Sequence, residues 1–196
     1  MKNLRNCQNV INRKLPSLEV FSDASSSGWG AAHLDKSTGG NWTHVESNLH
    51  INVLELKAAF YALQIYCNNL ENTTVLFKID NTSTVAWINK QTGPNEMIFE
   101  LVKKIRDFCI VRNIWVQACY IKSKNNIVAD FESRKIRDNL EWSLKPENFN
   151  KIVTVWQRPI VDLFASTANN KCKKFCSLNP DPNATGVAAF GSGFRE

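Results

Sequence analysis

VFSDASSSGWGAAHL, residues Val20–Leu34, decides how this chain is read. Apolar and polar positions alternate from Leu18 to Asp23, as in a strand. The strand ends on a carboxylate, Asp23. Small residues then turn the chain, and a second apolar stretch begins, with Gly28 and Gly30 on either side of Trp29. In isolation Asp23 is a turn aspartate. It becomes a candidate metal ligand only if the rest of the chain brings other carboxylates beside it.

Working outward, DKSTGGN (Asp35–Asn41) reads as the turn of a hairpin between a second and a third strand. VLELKAAFYALQIY (Val53–Tyr66) is apolar almost all round and predicts a buried helix. Residues 73–79 form another strand, and NTSTVAWINK (Asn81–Lys90) is a short helix that opens with capping residues. An amphipathic helix over Met97–Val111, a strand over Ile114–Ile121 and a helix over Ile127–Arg137 follow. This order predicts an α/β fold, a mixed five-stranded sheet with helices on both faces. The expected division is a linker over 1–16, a folded domain over 17–138 and a small irregular extension over 139–196. The extension is expected to hold a helix from near Pro146 and a short strand within Pro159–Ser166.

Composition narrows the class. With 43% hydrophobic and 21% charged residues, the chain is not of the disordered kind. No apolar run is long enough to span a membrane, so no membrane partner is expected. The N-terminus lacks the apolar core of a secretory signal, and six scattered cysteines suit a reducing, intracellular compartment, cytoplasmic or nuclear. A net charge of +6 tolerates a polyanionic partner. Cys172 and Cys176 are too few for zinc. His33, His44 and His50 have no G-x-S-x-G nucleophile to serve and read as surface or packing residues. Trp87 and Trp115 read as core.

Four carboxylates stand out. Asp23 ends a strand. Glu55 lies in the expected first turn of an apolar helix, with no lysine or arginine four residues on. Asp80 follows the fourth strand, where Asn81 or Thr82 can do the capping. Asp130 has Arg134 four residues later, as in an ordinary helical ion pair. If the first and fourth strands are neighbours, Asp23 and Asp80 meet at their carboxyl ends, where open sheets place sites. Such acids repel unless cations neutralise them. All-oxygen donors point to magnesium or manganese, and a pair of such ions suits attack on a phosphodiester.

SDAS (Ser22–Ser25), the glutamate of INVLELKA (Ile51–Ala58), IDNTSTVAWINKQ (Ile79–Gln91) and IVADFESR (Ile127–Arg134) together resemble the ribonuclease H domain of retrotransposon polyproteins. The phrases GWGA, LHINVLEL, EWSLKPENF and RPIVDLFAS are similar to DIRS-type, tyrosine-recombinase elements, and the likeness runs from Leu18 to Phe190. The resemblance implies a ribonuclease H-like fold with two Mg2+ ions, for which Mn2+ can substitute. They would be held by Asp23, Glu55, Asp80 and Asp130, which are also the catalytic residues. It gives Asp23 the bridging role, Asp80 the ion that activates water, and Asp130 the other. Glu55 would hold a metal and help sense the ribose 2′-hydroxyl. The implied reaction is endonucleolytic hydrolysis of the RNA strand of an RNA–DNA hybrid. Ser25, Asn81, Lys122, Lys124, Asn126 and Arg134 are the expected nucleic-acid contacts.

The likeness has departures. The loop IKSKNN (Ile121–Asn126) carries no histidine, and Lys122-Ser123 stands where related elements have Pro-Gly. QTGPNE (Gln91–Glu96) is too short for a basic helical handle. Affinity must then come from Lys122, Lys124, Lys135 and Arg137, or from a neighbouring reverse transcriptase in a longer polyprotein, and it would be salt-sensitive. Two rivals remain. One is a catalytically inert ribonuclease H-like module that binds nucleic acid or tethers a polymerase. The other is a DNA nuclease of the same fold.

Overall fold

The computed structural model describes residues 15–135, 143–167, 169–178 and 180–187. The expected linker up to residue 14, Cys7, Arg137 and the expected boundary near residue 138 lie outside the described residues.

Three strands, β1 (Leu18–Ala24), β2 (Gly28–His33) and β3 (Lys36–Asn41), form an antiparallel meander. Helix α1 (Ile51–Cys67) leads to β4 (Thr74–Ile79). Helices α2 (Thr82–Lys90) and α3 (Glu96–Arg112) precede β5 (Trp115–Tyr120), and α4 (Ile127–Arg134) follows. β4 pairs parallel to both β1 and β5, so the sheet order is β3-β2-β1-β4-β5. This is the expected mixed five-stranded sheet.

The stretch expected to turn, DKSTGGN, is largely β3 itself. The turn is Leu34–Asp35, with Leu34 at φ 54 and His33 opposite Lys36. The glycine at position 40 answers a packing demand instead: a Cβ there would lie 2.8 Å from the Trp29 indole nitrogen.

α1 begins two residues before the expected start, capped by His50, whose Nδ1 accepts from the Asn52 amide at 3.1 Å. Glu55 therefore sits beyond the first turn, and attraction to the helix dipole does not account for it. α1 packs with α2 and α3 over one sheet face, around Val20, Ala31, Leu56, Leu63, Phe77 and Ile79. Strand side chains alternate between faces, so Gly30 looks the other way from Ala31. There α4 lies so close that a Cβ on Gly30 would be 2.0 Å from the Ala129 carbonyl oxygen and 2.6 Å from the Ser133 nitrogen. Gly30 thus seats α4 on the sheet.

β5 is an edge strand, and Trp115 on it is 66% exposed rather than core as expected. Trp87 is partly buried against the core. Part of that edge is closed by Asn89 of α2, whose amide bonds both the N–H and the C=O of Ala118 at 2.9 and 2.8 Å.

Beyond residue 142, α5 (Pro146–Trp156) starts at the expected proline and buries none of its residues. Strands β6 (Val161–Asp162), β7 (Lys174–Ser177) and β8 (Gly186–Val187) form a small parallel sheet, with Ala165, Cys172, Phe175 and Cys176 buried. The Thr38 hydroxyl donates to the Pro180 carbonyl at 3.2 Å and ties β3 to this segment. No described helix is long and apolar enough to cross a membrane.

Candidate metal centre

The parallel register of β1 and β4 places Ser22 opposite Ile79, so Asp23 and Asp80 emerge side by side at the carboxyl ends of neighbouring strands. Asp80 is not needed as a cap. Asn81 does that work, its Oδ1 accepting from the Thr84 amide at 3.0 Å. α1 delivers Glu55 from across the sheet end. One carboxylate oxygen from each of Asp23, Glu55 and Asp80 lies within 4.8 Å of the others.

These acids strain one another. Burial, then the charges of Asp23 and Asp80, push the Glu55 carboxyl up to about 9, against a hydrogen bond from the Ala24 backbone. Its Oε2 is buried with no hydrogen-bond partner among the described residues. Burial also raises Asp23 to about 6; a hydrogen bond from Ser133 opposes this, while the charges of Asp80 and Asp130 add to it. Among the described residues, no lysine or arginine forms an ion pair with Asp23, Glu55 or Asp80. A buried orphan oxygen within a set of hard donors fits a divalent cation such as magnesium or manganese.

Asp130 is not brought into this group. It is held on α4 by Arg134, whose Nε donates to its Oδ1 at 2.7 Å. Its charge still reaches Asp23 and Glu55. Four acids were expected together; three converge and the fourth stands beside them with its own counter-charge.

Among solved structures, the chain is similar to ribonuclease H1 from the halophilic archaeon Halobacterium salinarum NRC-1, at 13% identity and TM-score 0.49, over 58% of this chain and 91% of that one. It is similar to LC11 ribonuclease H1 in complex with RNA/DNA hybrid, at 19% identity and TM-score 0.46, over 58% and 91%. It is also similar to the foamy viral protease–reverse transcriptase in complex with RNA/DNA hybrid, at 13% identity and TM-score 0.47, over 69% of this chain and 24% of that one. No protein-family model matches the chain. No curated protein matches it in sequence.

The expected nucleic-acid contacts divide. Lys122, Lys124 and Arg134 are exposed beside α4. Ser25 is buried, and its hydroxyl donates to the Ser133 carbonyl at 2.6 Å, so its side chain is turned inward. Asn126 is buried too, its Nδ2 donating to the Ser22 carbonyl at 3.0 Å, which anchors the start of α4 to β1. Asn81 is half-buried; besides capping α2, its Nδ2 donates to Asn52 Oδ1 at 2.8 Å. All three side chains make hydrogen bonds within the protein. His33 bonds the Glu19 carbonyl at 2.7 Å, consistent with a packing role. Sequence reading missed Ser133, which is fully buried with its Oγ 2.5 Å from Asp23 Oδ2. The available signal was its place on α4, one turn after Asp130.

Proposed function

We propose that this chain is a divalent-cation-dependent ribonuclease that hydrolyses the RNA strand of RNA–DNA hybrids. The observation that carries the reading is the convergence of Asp23, Glu55 and Asp80 within 4.8 Å, with no lysine or arginine in an ion pair with any of them among the described residues. Asp23, Glu55 and Asp80 would hold magnesium or manganese, and Asp130 would serve as the fourth carboxylate of a two-ion site once Arg134 releases it. The cations would supply the positive charge that activates water and stabilises the departing oxygen of a phosphodiester. The chain's own residues prepare the site. Burial keeps a proton on Glu55 until a cation arrives. Ser133 holds one oxygen of Asp23. Lys122, Lys124 and Arg134 offer charge to backbone phosphates, so hybrid binding weakens as salt rises. The hybrid as substrate comes from the sequence resemblance, and two of the structures compared carry RNA/DNA hybrid. The same resemblance supports a setting in retrotransposon reverse transcription, beside a polymerase domain of a longer polyprotein.

The ion pair of Asp130 with Arg134 favours a second reading, an inert module that binds hybrid without cutting it. One experiment separates the readings. Purified protein is offered labelled RNA–DNA hybrid, RNA duplex and DNA duplex, with magnesium or with chelator, beside Asp80→Asn. The proposed enzyme removes only the RNA of the hybrid, needs magnesium, and loses activity with Asp80→Asn. Binding without cleavage supports the inert module, and cleavage of DNA duplex moves the assignment to a DNA nuclease.

A further inference from the structure

We infer that Ser133 is a positioning residue for the cation site, its hydroxyl fixing the Asp23 carboxylate before any ion arrives. The inference rests on the reading of Asp23, Glu55 and Asp80 as a cation site.

Three observations converge on this serine. Gly30 is the register partner of Asp23, and the missing Cβ at Gly30 is what lets α4 descend to the sheet at that point. The Ser133 side chain therefore arrives beside Asp23, fully buried, with Oγ 2.5 Å from Asp23 Oδ2. The same oxygen lies 2.9 Å from the Asp130 carbonyl. A hydroxyl has one proton and cannot serve both acceptors at once. The carboxylate is charged and makes the stronger bond, so in the ionised site the proton goes to Asp23. Finally, the Ser133 carbonyl accepts from the Ser25 hydroxyl at 2.6 Å, so its backbone and its side chain are each anchored to the end of β1.

A carboxylate bonded at one oxygen loses its freedom to rotate. Part of the reorientation that Asp23 needs to bind a cation is then already made. Groups that orient a ligand in this way typically change metal affinity by about 10- to 100-fold when removed. Glu55 is held by a backbone hydrogen bond from Ala24 instead of a side-chain hydroxyl, and its Oε2 has no partner among the described residues.

The test is manganese binding by calorimetry, with folding followed by circular dichroism. Ser133→Ala is expected to weaken Mn2+ binding by about tenfold or more. Ser133→Cys keeps the shape with a poorer donor, is expected to fall between Ser133→Ala and wild type, and carries the test if the alanine variant fails to fold. Ser25→Ala removes the backbone anchor of Ser133 together with the turn contacts of the Ser25 hydroxyl to Ser27 and Gly28; it should lower the melting temperature and cost less Mn2+ affinity than Ser133→Ala. Wild-type affinity in both Ser133 variants, or an equal loss in Ser25→Ala, would overturn the positioning role while leaving the cation site standing. Failure of the wild-type protein to bind Mn2+ would overturn both.

Discussion

Glu46 and Glu55 flank the start of α1, and the protein treats them oppositely. Burial alone would raise the Glu46 carboxyl, but Lys57 at 2.8 Å, the Thr43 amide and hydroxyl, and the Tyr61 hydroxyl surround it and pull it down to about 2. Glu55 is more deeply buried, faces two aspartates, and is pushed up to about 9. This fold can supply partners to a buried glutamate. It does so at Glu46, and among the described residues no lysine or arginine does so at Glu55, which sits beside two further acids. That contrast is what the proposed cation site predicts for Glu55.

The contrast is broken most directly by making both residues neutral. Glu55→Gln is expected to reduce hybrid cleavage roughly a hundredfold or more, the scale seen when one group that stabilises a transition state is lost. It should also raise the melting temperature of the metal-free protein, because a repelled acid is gone. Glu46→Gln should do the reverse: activity near wild type, and a stability loss of about 1–3 kcal/mol from breaking charged hydrogen bonds. Cleavage assays and thermal melts with chelator check both. If Glu55→Gln destabilises the metal-free protein, the cluster is not strained and the comparison fails.

Gly30→Ala attacks the same centre from behind. A methyl group at position 30 has nowhere to go, since the nearest atoms are backbone atoms of α4. α4 must lift, at a cost of about 1–3 kcal/mol for an overpacked site, and Ser133 and Asp130 move with it. Chemical denaturation and cation binding should both fall. Gly186→Ala is the control, because a Cβ there meets only the Cys176 sulfur, at 3.3 Å.

The two glutamates also predict opposite limbs of a pH profile. Glu46 is depressed, so its stabilisation is complete above about 4.5 and is lost as pH falls toward about 2. Glu55 is raised, so the folded state holds a proton that the unfolded state has released between about 4.5 and about 9. Metal-free stability therefore declines through that window, by at most about 1.4 kcal/mol per pH unit for one group. Asp23 adds to the decline between 3.8 and about 6. Saturating magnesium should flatten the decline, and the acid limb should not respond to it. Denaturation midpoints across pH, with and without magnesium, measure this.

The site was legible where chemistry follows local position. Asp23 and Asp80 could be placed at strand ends because alternation marks where a strand stops, and Asn81 announces its own cap. The Asp130–Arg134 pair follows from helical spacing alone. What escaped depends on partners distant in sequence. Residues 36–41 look like a turn by composition, yet they pair along their whole length with β2. Trp115 alternates like a core residue, but its strand lies at the sheet edge. Ser25 and Asn126 are polar residues next to the candidate acids, which suggested contacts; the Ser25 hydroxyl and the Asn126 amide nitrogen fasten α4 to β1. Ser133 lies one turn after Asp130, but its nearness to Asp23 depends on how closely α4 approaches at Gly30.

The smallest expected effect bears on the fourth acid. The Asp130–Arg134 pair is exposed, and such pairs contribute about 0–1 kcal/mol, so Arg134→Ala should leave stability nearly unchanged. It should act on two equilibria with opposite signs. Freed of its counter-charge, Asp130 can serve the cation, and Mn2+ affinity should rise by no more than about fivefold, the equivalent of that energy. Hybrid affinity should fall, and its salt dependence should lessen by about one unit, if Arg134 meets a phosphate. Adding Asp130→Asn to Arg134→Ala decides which acid is responsible. If the gain in Mn2+ affinity disappears, Asp130 belongs to the same centre as Asp23, Glu55 and Asp80, and Arg134 is its resident competitor. If the gain persists, the guanidinium was acting on the three-acid cluster through space, and Asp130 is the ordinary partner of a helical arginine.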